Sequence, residues 1–280
     1  MRSNPDLDDN RLAARQIART GKRLGHTVIV RAETGSTNDD LREKAEAGAP
    51  EGLVLLAEAQ TAGRGRLRRR WESPAGKNLL LSVLLRPALS AERAFQITLM
   101  TGVAVAQTLA EGYGLKPRIK WPNDVMVQGR KLCGVLAEMK AAAGQVEFIV
   151  LGLGVNLNLR RTELSEELQP LATSVAEELG RPVARAEFAR ALLEELETCY
   201  LDLLAGNWPK ILEAWHSWAA IRGQEVLIEL NEGKISGAAL GLDQDGALRV
   251  WDRSANLERR ILAGDVKYLR EKGGGRGTCY

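Results

Sequence analysis

Apolar and polar positions along the chain follow two rhythms, one up to about residue 220 and another after it. In the first stretch, short apolar runs that read as buried strands are separated by longer segments of helical period. Strands are expected at His26 to Ala32, Gly52 to Ala59, Asn78 to Leu85, Pro117 to Trp121, Val125 to Val127, Lys131 to Glu138 and Gln145 to Leu157. A helix is expected to start at Ser36-Thr37-Asn38, and others to cover Ala91 to Glu111, Ala184 to Leu204 and Pro209 to Ala220. The small polar side chains of Ser36, Thr37 and Asn38 suit a helix cap and equally a ligand's hydrogen bonds. At the front, Leu12, Ile17 and Leu24 recur near helical spacing among arginines, so residues 8 to 24 read as a short amphipathic helix capped by Asp8 or Asp9.

From Gln224 onward the pattern changes to short alternating strands, at Glu225 to Leu230, Lys234 to Leu242, Ala247 to Trp251 and Arg259 to Leu262. Turn signals at Asn231-Glu232-Gly233 and Asp243-Gln244-Asp245-Gly246 separate them. The whole predicts an α+β fold: a mixed sheet with helices on one side, followed by a small β-barrel. The expected organisation is an N-terminal helical segment over 1–24, a main domain over 25–220, the barrel over 221–270 and a tail over 271–280. The tail run Gly273-Gly274-Gly275-Arg276-Gly277 carries no core-forming side chain and reads as flexible.

Composition narrows the class. A length of 280 residues allows one large core and a small one, and 45% hydrophobic with 27% charged residues is ordinary for a folded, soluble chain. No apolar run reaches the length of a bilayer-spanning helix, and the N-terminus lacks a secretory apolar core, which places the protein in the cytoplasm. Three cysteines, Cys133, Cys199 and Cys279, and two histidines, His26 and His216, show neither disulfide nor metal-ligand spacing, so no fixed metal site is expected. A net charge of +3 is too small to indicate a polyanionic partner.

The basic residues are instead concentrated in Gly63-Arg64-Gly65-Arg66-Leu67-Arg68-Arg69-Arg70-Trp71. Arginines hold phosphate or carboxylate oxygens in bidentate geometry, and Gly63 and Gly65 permit backbone angles and close approaches that a Cβ would forbid. Taken alone, such a cluster reads as a solvated basic patch or a nucleic-acid contact sooner than as a small-anion site. Its position between two core strands favours the site, because loops held by a rigid sheet commonly carry chemistry.

Four further segments stand in order around it: Gly35-Ser36-Thr37-Asn38, Lys120-Trp121-Pro122-Asn123-Asp124, Gly129-Arg130-Lys131-Leu132-Cys133-Gly134-Val135-Leu136-Ala137-Glu138 and Gly152-Leu153-Gly154-Val155-Asn156-Leu157-Asn158. In this order and at these separations the chain resembles the biotin protein ligase family. The likeness covers about residues 25 to 220, and extends more weakly over 221 to 270, which resemble that family's SH3-like C-terminal barrel. The short segment before residue 25 cannot hold the DNA-binding domain that some members carry, so the resemblance implies a ligase without a repressor's second role.

The resemblance implies ATP-dependent ligation of biotin to a lysine of a biotin carboxyl carrier protein domain, that of acetyl-CoA carboxylase or a related carboxylase. Biotinyl-5'-AMP is the implied intermediate, with release of pyrophosphate and then AMP. The first step joins two anions, so cationic clamps and the magnesium of ATP are expected. Lys131, Arg64 and Arg66 are the implied catalytic cations, with Asp124 either orienting the acceptor lysine or meeting magnesium. Biotin's ureido head is assigned to Ser36, Thr37, Asn38 and Gln60, and its carboxylate to Arg64, Gly65, Arg66 and Lys131. Trp71, Gly134 and Gly152 are assigned as walls, with core packing an equal reading for Trp71. The nucleotide is assigned to Arg66, Arg69, Asn123, Lys131, Gly154 and Asn156, the last reading adenine. Lys120 is read as a structural partner of Asp124 or another residue. No side-chain nucleophile is needed. Neither membrane nor nucleic acid is an implied partner, and such ligases occur as monomers and as homodimers.

Two departures stand out: Arg68 occupies a position commonly glycine, and Leu171-Ala172-Thr173 offers no aromatic to stack on a purine. The rival readings are a lipoate or octanoate ligase of the same broad fold, a nucleic-acid module stacking on Trp71, and a silent biotin sensor. Confinement of the basic residues to one loop argues against the second, and retention of Lys131 with both loop arginines against the third. A cut at about Ile221 is expected to impair carrier modification more than folding of the main domain.

Overall fold

A computed structural model describes residues 12–268 apart from 220, 231, 232 and 263. Asp8, Asp9, the residues before Gly233 in the first barrel turn and the glycine-rich tail lie outside the described residues. The chain runs α1 (Ala14–Ile17), β1 (Thr27–Thr34), α2 (Thr37–Glu46), β2 (Leu53–Gln60), β3 (Leu79–Leu85), α3 (Phe95–Tyr113), β4 (Pro117–Lys120), β5 (Asp124–Val127), β6 (Arg130–Ala142) and β7 (Gln145–Val155). It continues through α4 (Val175–Leu179), α5 (Arg185–Leu204), α6 (Trp208–Trp218), β8 (Glu225–Leu230), β9 (Gly233–Leu242), β10 (Leu248–Asp252), β11 (Leu257–Ile261) and β12 (Asp265–Tyr268).

Seven strands form one mixed sheet in the order β1-β2-β3-β7-β6-β5-β4, with β1 and β2 parallel and the other neighbours antiparallel. All seven residues of β3 are buried, which is why Leu79–Leu85 reads as a continuous apolar run rather than an alternating one. Its pleat sends Leu79, Leu81, Val83 and Leu85 into the large core under α3 and α5, and Leu84 into a smaller core with Leu41 and Ala45 of α2. Each buried leucine contributes about 2 kcal/mol of apolar transfer, so this strand alone anchors both layers. The helices are therefore not confined to one side: α2 covers the opposite face, at the β1-β2-β3 end. Ten residues with a mean pattern this polar give little hint of which face they will cover.

The N-terminal helix is also shorter than its spacing suggests, at four residues. It ends where Ala18 turns extended at φ −56°, ψ 139°, and Gly21 and Gly25 beyond it take the left-handed φ values of 74° and 78°. Leu12, Ile17 and Leu24 are nonetheless core residues, held by tertiary contacts, with buried Arg19 at 2.9 Å from Glu197 and donating to the Leu24 and Leu193 carbonyls. The short α4, capped by Ser174 Oγ accepting from Glu177 N, and the four-residue β12 had no periodic signal long enough to read.

The C-terminal strands form an antiparallel sheet in the order β11-β10-β9-β8-β12. Among the described residues no ladder joins β11 to β12, so the expected barrel is observed as a five-stranded sheet with two edges. Its apolar side, Val226, Ile228, Leu248 and Val250, belongs to the same core cluster as α3 and α6.

Candidate active site

The open part of the sheet, on the face that α2 covers only at one end, is where the motifs meet. Register aligns Ser82 of β3 with Gly152 of β7 and Leu136 of β6, and one step along aligns Leu80, Gly154 and Gly134. The glycines of β6 and β7 thus leave a strip of sheet without side chains, bordered by Leu80 and Ser82 of β3. A cavity of about 440 Å³ stands on it, within the range of small-molecule sites. Ser36, Thr37, Asn38, Gln60, Arg64, Gly65, Arg66, Arg69, Trp71, Asn123, Asp124, Lys131, Gly134, Gly152, Gly154 and Asn156 all line it. Every site residue expected from sequence is therefore brought to one place.

Their contacts refine what each can do. A Cβ on Gly154 would stand 2.5 Å from the Trp71 indole and one on Gly134 3.0 Å from it. A Cβ on Gly152 would clash with Asn38 Oδ1. The three glycines make room first for this chain's own Trp71 and Asn38, and the ligand meets those side chains rather than bare backbone. Lys131 Nζ lies 5.5 Å from the Trp71 ring centroid, a cation–π separation, so Trp71 is both wall and positioner.

At one end is a polar cluster. Thr37 donates from its backbone N and from Oγ1 to Gln60 Oε1, at 2.7 and 2.9 Å, and Ser82 Oγ lies 2.8 Å from Thr37 Oγ1 and donates to Asn38 Oδ1 at 2.6 Å. Asn38 Nδ2 donates to Glu138 Oε2 at 2.7 Å. Ser36 occupies the N-cap position of α2 but makes no side-chain cap bond, so the residues read as a helix start are engaged with one another and with the site. Ser82 and Glu138 had not been singled out, although a lone serine inside Leu79-Leu80-Leu81-Ser82-Val83-Leu84-Leu85 is a visible break in an apolar strand.

The basic loop forms the other wall. Gly65 N donates to Arg69 O, Trp71 N to Gly63 O, and Arg64 and Arg70 bridge across, folding residues 63–71 into a narrow clasp. Leu67 sits within it at φ 54°, ψ 32°, 60% exposed, so the left-handed residue is Leu67 rather than the neighbouring Arg68. Arg66 Nη1 donates to Asn123 Oδ1 and to the carbonyl of Gly264, both at 3.2 Å, joining the loop to the C-terminal sheet. Val266 and Lys267 of β12 complete the lining there. Arg64 faces Asp39, with Nη1 and Nη2 at 2.6 and 2.5 Å from the two carboxylate oxygens. That hydrogen-bonded pairing holds the Asp39 carboxyl below its ordinary range.

Lys131 Nζ pairs with Asp124 at 2.6 Å, across the bulged β5-β6 ladder. Lys120 is opposite Asp124 in the β4-β5 register, on the strand next to the Lys131–Asp124 pair. The Lys131 backbone binds the segment after the glycine motif, through Leu171 O at 2.8 Å and Thr173 N at 3.0 Å, which sets Leu171 and Ala172 against the cavity as apolar contacts. Asn156 is 4% exposed, and its amide donates to Thr173 O while its oxygen accepts from Asn78 Nδ2. These bonds fix the orientation of the amide and leave one N–H and one lone pair uncommitted. Burial pushes the Cys133 and Cys199 thiols up to about 12, far from a nucleophilic thiolate at neutral pH.

A cationic clasp, a lysine beside a carboxylate and a polar recess share one cavity of small-molecule size, a site suited to an anionic ligand with a polar head. Residues 30–156 match the model of the biotin/lipoate A/B protein ligase family, and residues 222–267 that of the biotin protein ligase C-terminal domain. The chain is 36% identical over 275 residues to a biotin–[acetyl-CoA-carboxylase] ligase of Mycobacterium tuberculosis, covering 96% of this chain and 98% of that one. It is 35% identical over 225 residues to a bifunctional ligase/repressor of Bacillus subtilis, covering 80% and 69%. A biotin protein ligase of Aquifex aeolicus, solved in complex with biotin and ATP, superposes with a TM-score of 0.73 at 29% identity, over 88% of this chain and 99% of that one. The chain belongs to the biotin protein ligase family.

Proposed function

We propose that the protein joins biotin to a lysine of a carboxylase carrier domain through biotinyl-AMP. The observation that carries this reading is the single cavity with Lys131 and the arginine clasp at one wall and the Ser36 to Asn38 and Gln60 cluster at the other. A carboxylate oxygen of biotin attacks the α-phosphorus of ATP, a P–O bond forms, the α–β bridging bond breaks and pyrophosphate leaves. The carrier's amine then attacks the anhydride carbonyl, the C–N bond replaces C–O, and AMP departs while the amine loses its proton.

In this reading Lys131 leaves Asp124 for the developing charge on carboxylate and α-phosphate. Asp124 is then free to hold the incoming lysine amine. Arg66 and Arg64 supply the other cations, fixed before reaction rather than recruited during it. Biotin's ureido head meets Gln60, Thr37 and Asn38. The ureido N–H and C=O groups can bond to this polar recess whereas lipoate's dithiolane offers it no comparable donor or acceptor, which selects against that acid. The nucleotide lies along Gly154, Asn156, Asn123 and Arg69, with Leu171 and Ala172 in apolar contact. Magnesium enters this reading only as the metal of the ATP substrate. No helix among the described residues is long and apolar enough to cross a membrane.

The test is pyrophosphate release and the mass of a bound adenylate, with biotin or lipoate as the acid. Biotin-dependent release with a biotinyl-AMP mass is expected, and Lys131→Ala should lower its rate by about 10²- to 10³-fold without unfolding the protein. Release with lipoate instead, or undiminished turnover by the folded variant, overturns the reading.

A further inference from the structure

The Arg64 guanidinium, which the proposed function assigns to an anion of the substrates, already holds an anion of this chain. Both of its terminal nitrogens meet both Asp39 oxygens, the fork-on-fork geometry by which arginine takes carboxylate or phosphate. Asp39 follows Asn38 directly, so the pair sits beside the polar recess. Arg64 lines the cavity, and the side chains are 35% and 46% exposed. Water screens such a pair, so it is cheap to exchange for a stronger anionic ligand. Asp39 does not itself line the cavity, but it engages both terminal nitrogens of Arg64, so a substrate oxygen taking the same fork would have to displace it.

We propose that Asp39 is an internal stand-in for the substrate anion: it holds Arg64 in place in the unliganded chain and yields it to a carboxylate or phosphate oxygen on binding. Asp39 is then a positioning residue that tunes affinity by competition. This inference rests on the reading of Arg64 as a substrate clamp. Its consequence is opposite to that of a structural or orienting role, because removing the Asp39 charge should tighten binding.

The experiment is calorimetric titration of biotin, biotinamide and ATP into the unmodified protein, Asp39→Asn, Arg64→Ala and the double variant. Asp40→Asn serves as the charge control. Asp40 lies one residue on in the same helix, bonded to Thr34 Oγ1 at 2.9 Å and 3.9 Å from Arg31, and removes the same charge without touching Arg64. Asp39→Asn should tighten the anionic ligand about two- to fivefold more than Asp40→Asn does, the range that an exposed ion pair spans. The gain should vanish in the Arg64→Ala background. Tightening of biotin but not biotinamide assigns the carboxylate as the displaced partner, and tightening of ATP assigns the phosphate. Unchanged or weakened binding by Asp39→Asn, with Arg64→Ala weakening it, overturns the stand-in and leaves the clamp. No effect of Arg64→Ala on any ligand removes the clamp reading itself. Asp39→Ser is the second variant, and thermal melts of all variants confirm that each is folded.

Discussion

At Gly154 the sequence shows what is required but not for whom. A glycine at every second position of a buried strand signals close approach, and both the motif and its place on β7 are legible. What approaches is Trp71, which only the fold brings there. The same limit applies to Arg64, whose chemistry is legible but whose carboxylate partner comes from α2 rather than from a ligand. Gly154→Ala tests the floor directly. Its Cβ would stand 2.5 Å from the indole, so the ring must tilt off the sheet and away from Lys131. Overpacking of this kind costs about 1–3 kcal/mol. A lowered melting temperature, altered tryptophan emission and at least about tenfold weaker biotin binding are expected, a loss that corresponds to roughly 1.4 kcal/mol. Unchanged emission and affinity would mean that the indole does not need its glycine shelf.

Among elements, β2, β3 and β7 could be read to within a residue or two because they are apolar enough to announce themselves, whereas β6 runs to Ala142, four residues past its expected end. The side of the sheet that α2 covers could not, since a short polar helix shows its face only through contacts such as Leu41 and Ala45 on β3. Nor could the links that tie α5 to the start of β2. There Tyr200 donates to Glu51 Oε1 at 2.5 Å, while Arg86 N and Arg23 also bind the carboxylate. Burial is the largest influence on Glu51 and favours its neutral form, but together these hydrogen bonds hold its folded pKa below the ordinary value. The contribution to stability is therefore present above the unfolded carboxylate pKa and is lost as pH falls through the folded one. Tyr200→Phe removes a bond to a charged group and should cost about 1.5–3 kcal/mol at pH 7. The penalty should shrink under acid conditions where Glu51 is protonated in both states. Urea unfolding at neutral and acid pH measures both, and an equal penalty at each would exclude the charged bond as its source.

Across the whole molecule, the change of rhythm near residue 220 marks a second sheet correctly but says nothing of how that sheet is seated. Ile221 is 1% exposed within the common core, Trp208 Nε1 donates to Gln244 O at 2.8 Å, and Gln96 Nε2 reaches Asp245 O at 3.2 Å. A cut at Ile221 would therefore strip packing from α3 and α6, so it does not leave the main fold untouched. A smaller change isolates the coupling. Gly246 takes φ of 99°, and a Cβ there would stand 2.8 Å from Leu99 Cδ1 and 2.9 Å from the Trp208 ring. Gly246→Ala thus pushes the turn off both helices and, through the same sheet, loosens the Gly264 carbonyl from Arg66 and Val266 from the cavity. Hydrogen exchange should show lost protection in β8 and β9 together with the α3 start, and nucleotide affinity should fall although no substituted atom touches the site. If protection falls in the C-terminal strands alone and affinity holds, the two sheets are independent units. The Arg66 contact with Gly264 would then be a touch rather than a brace.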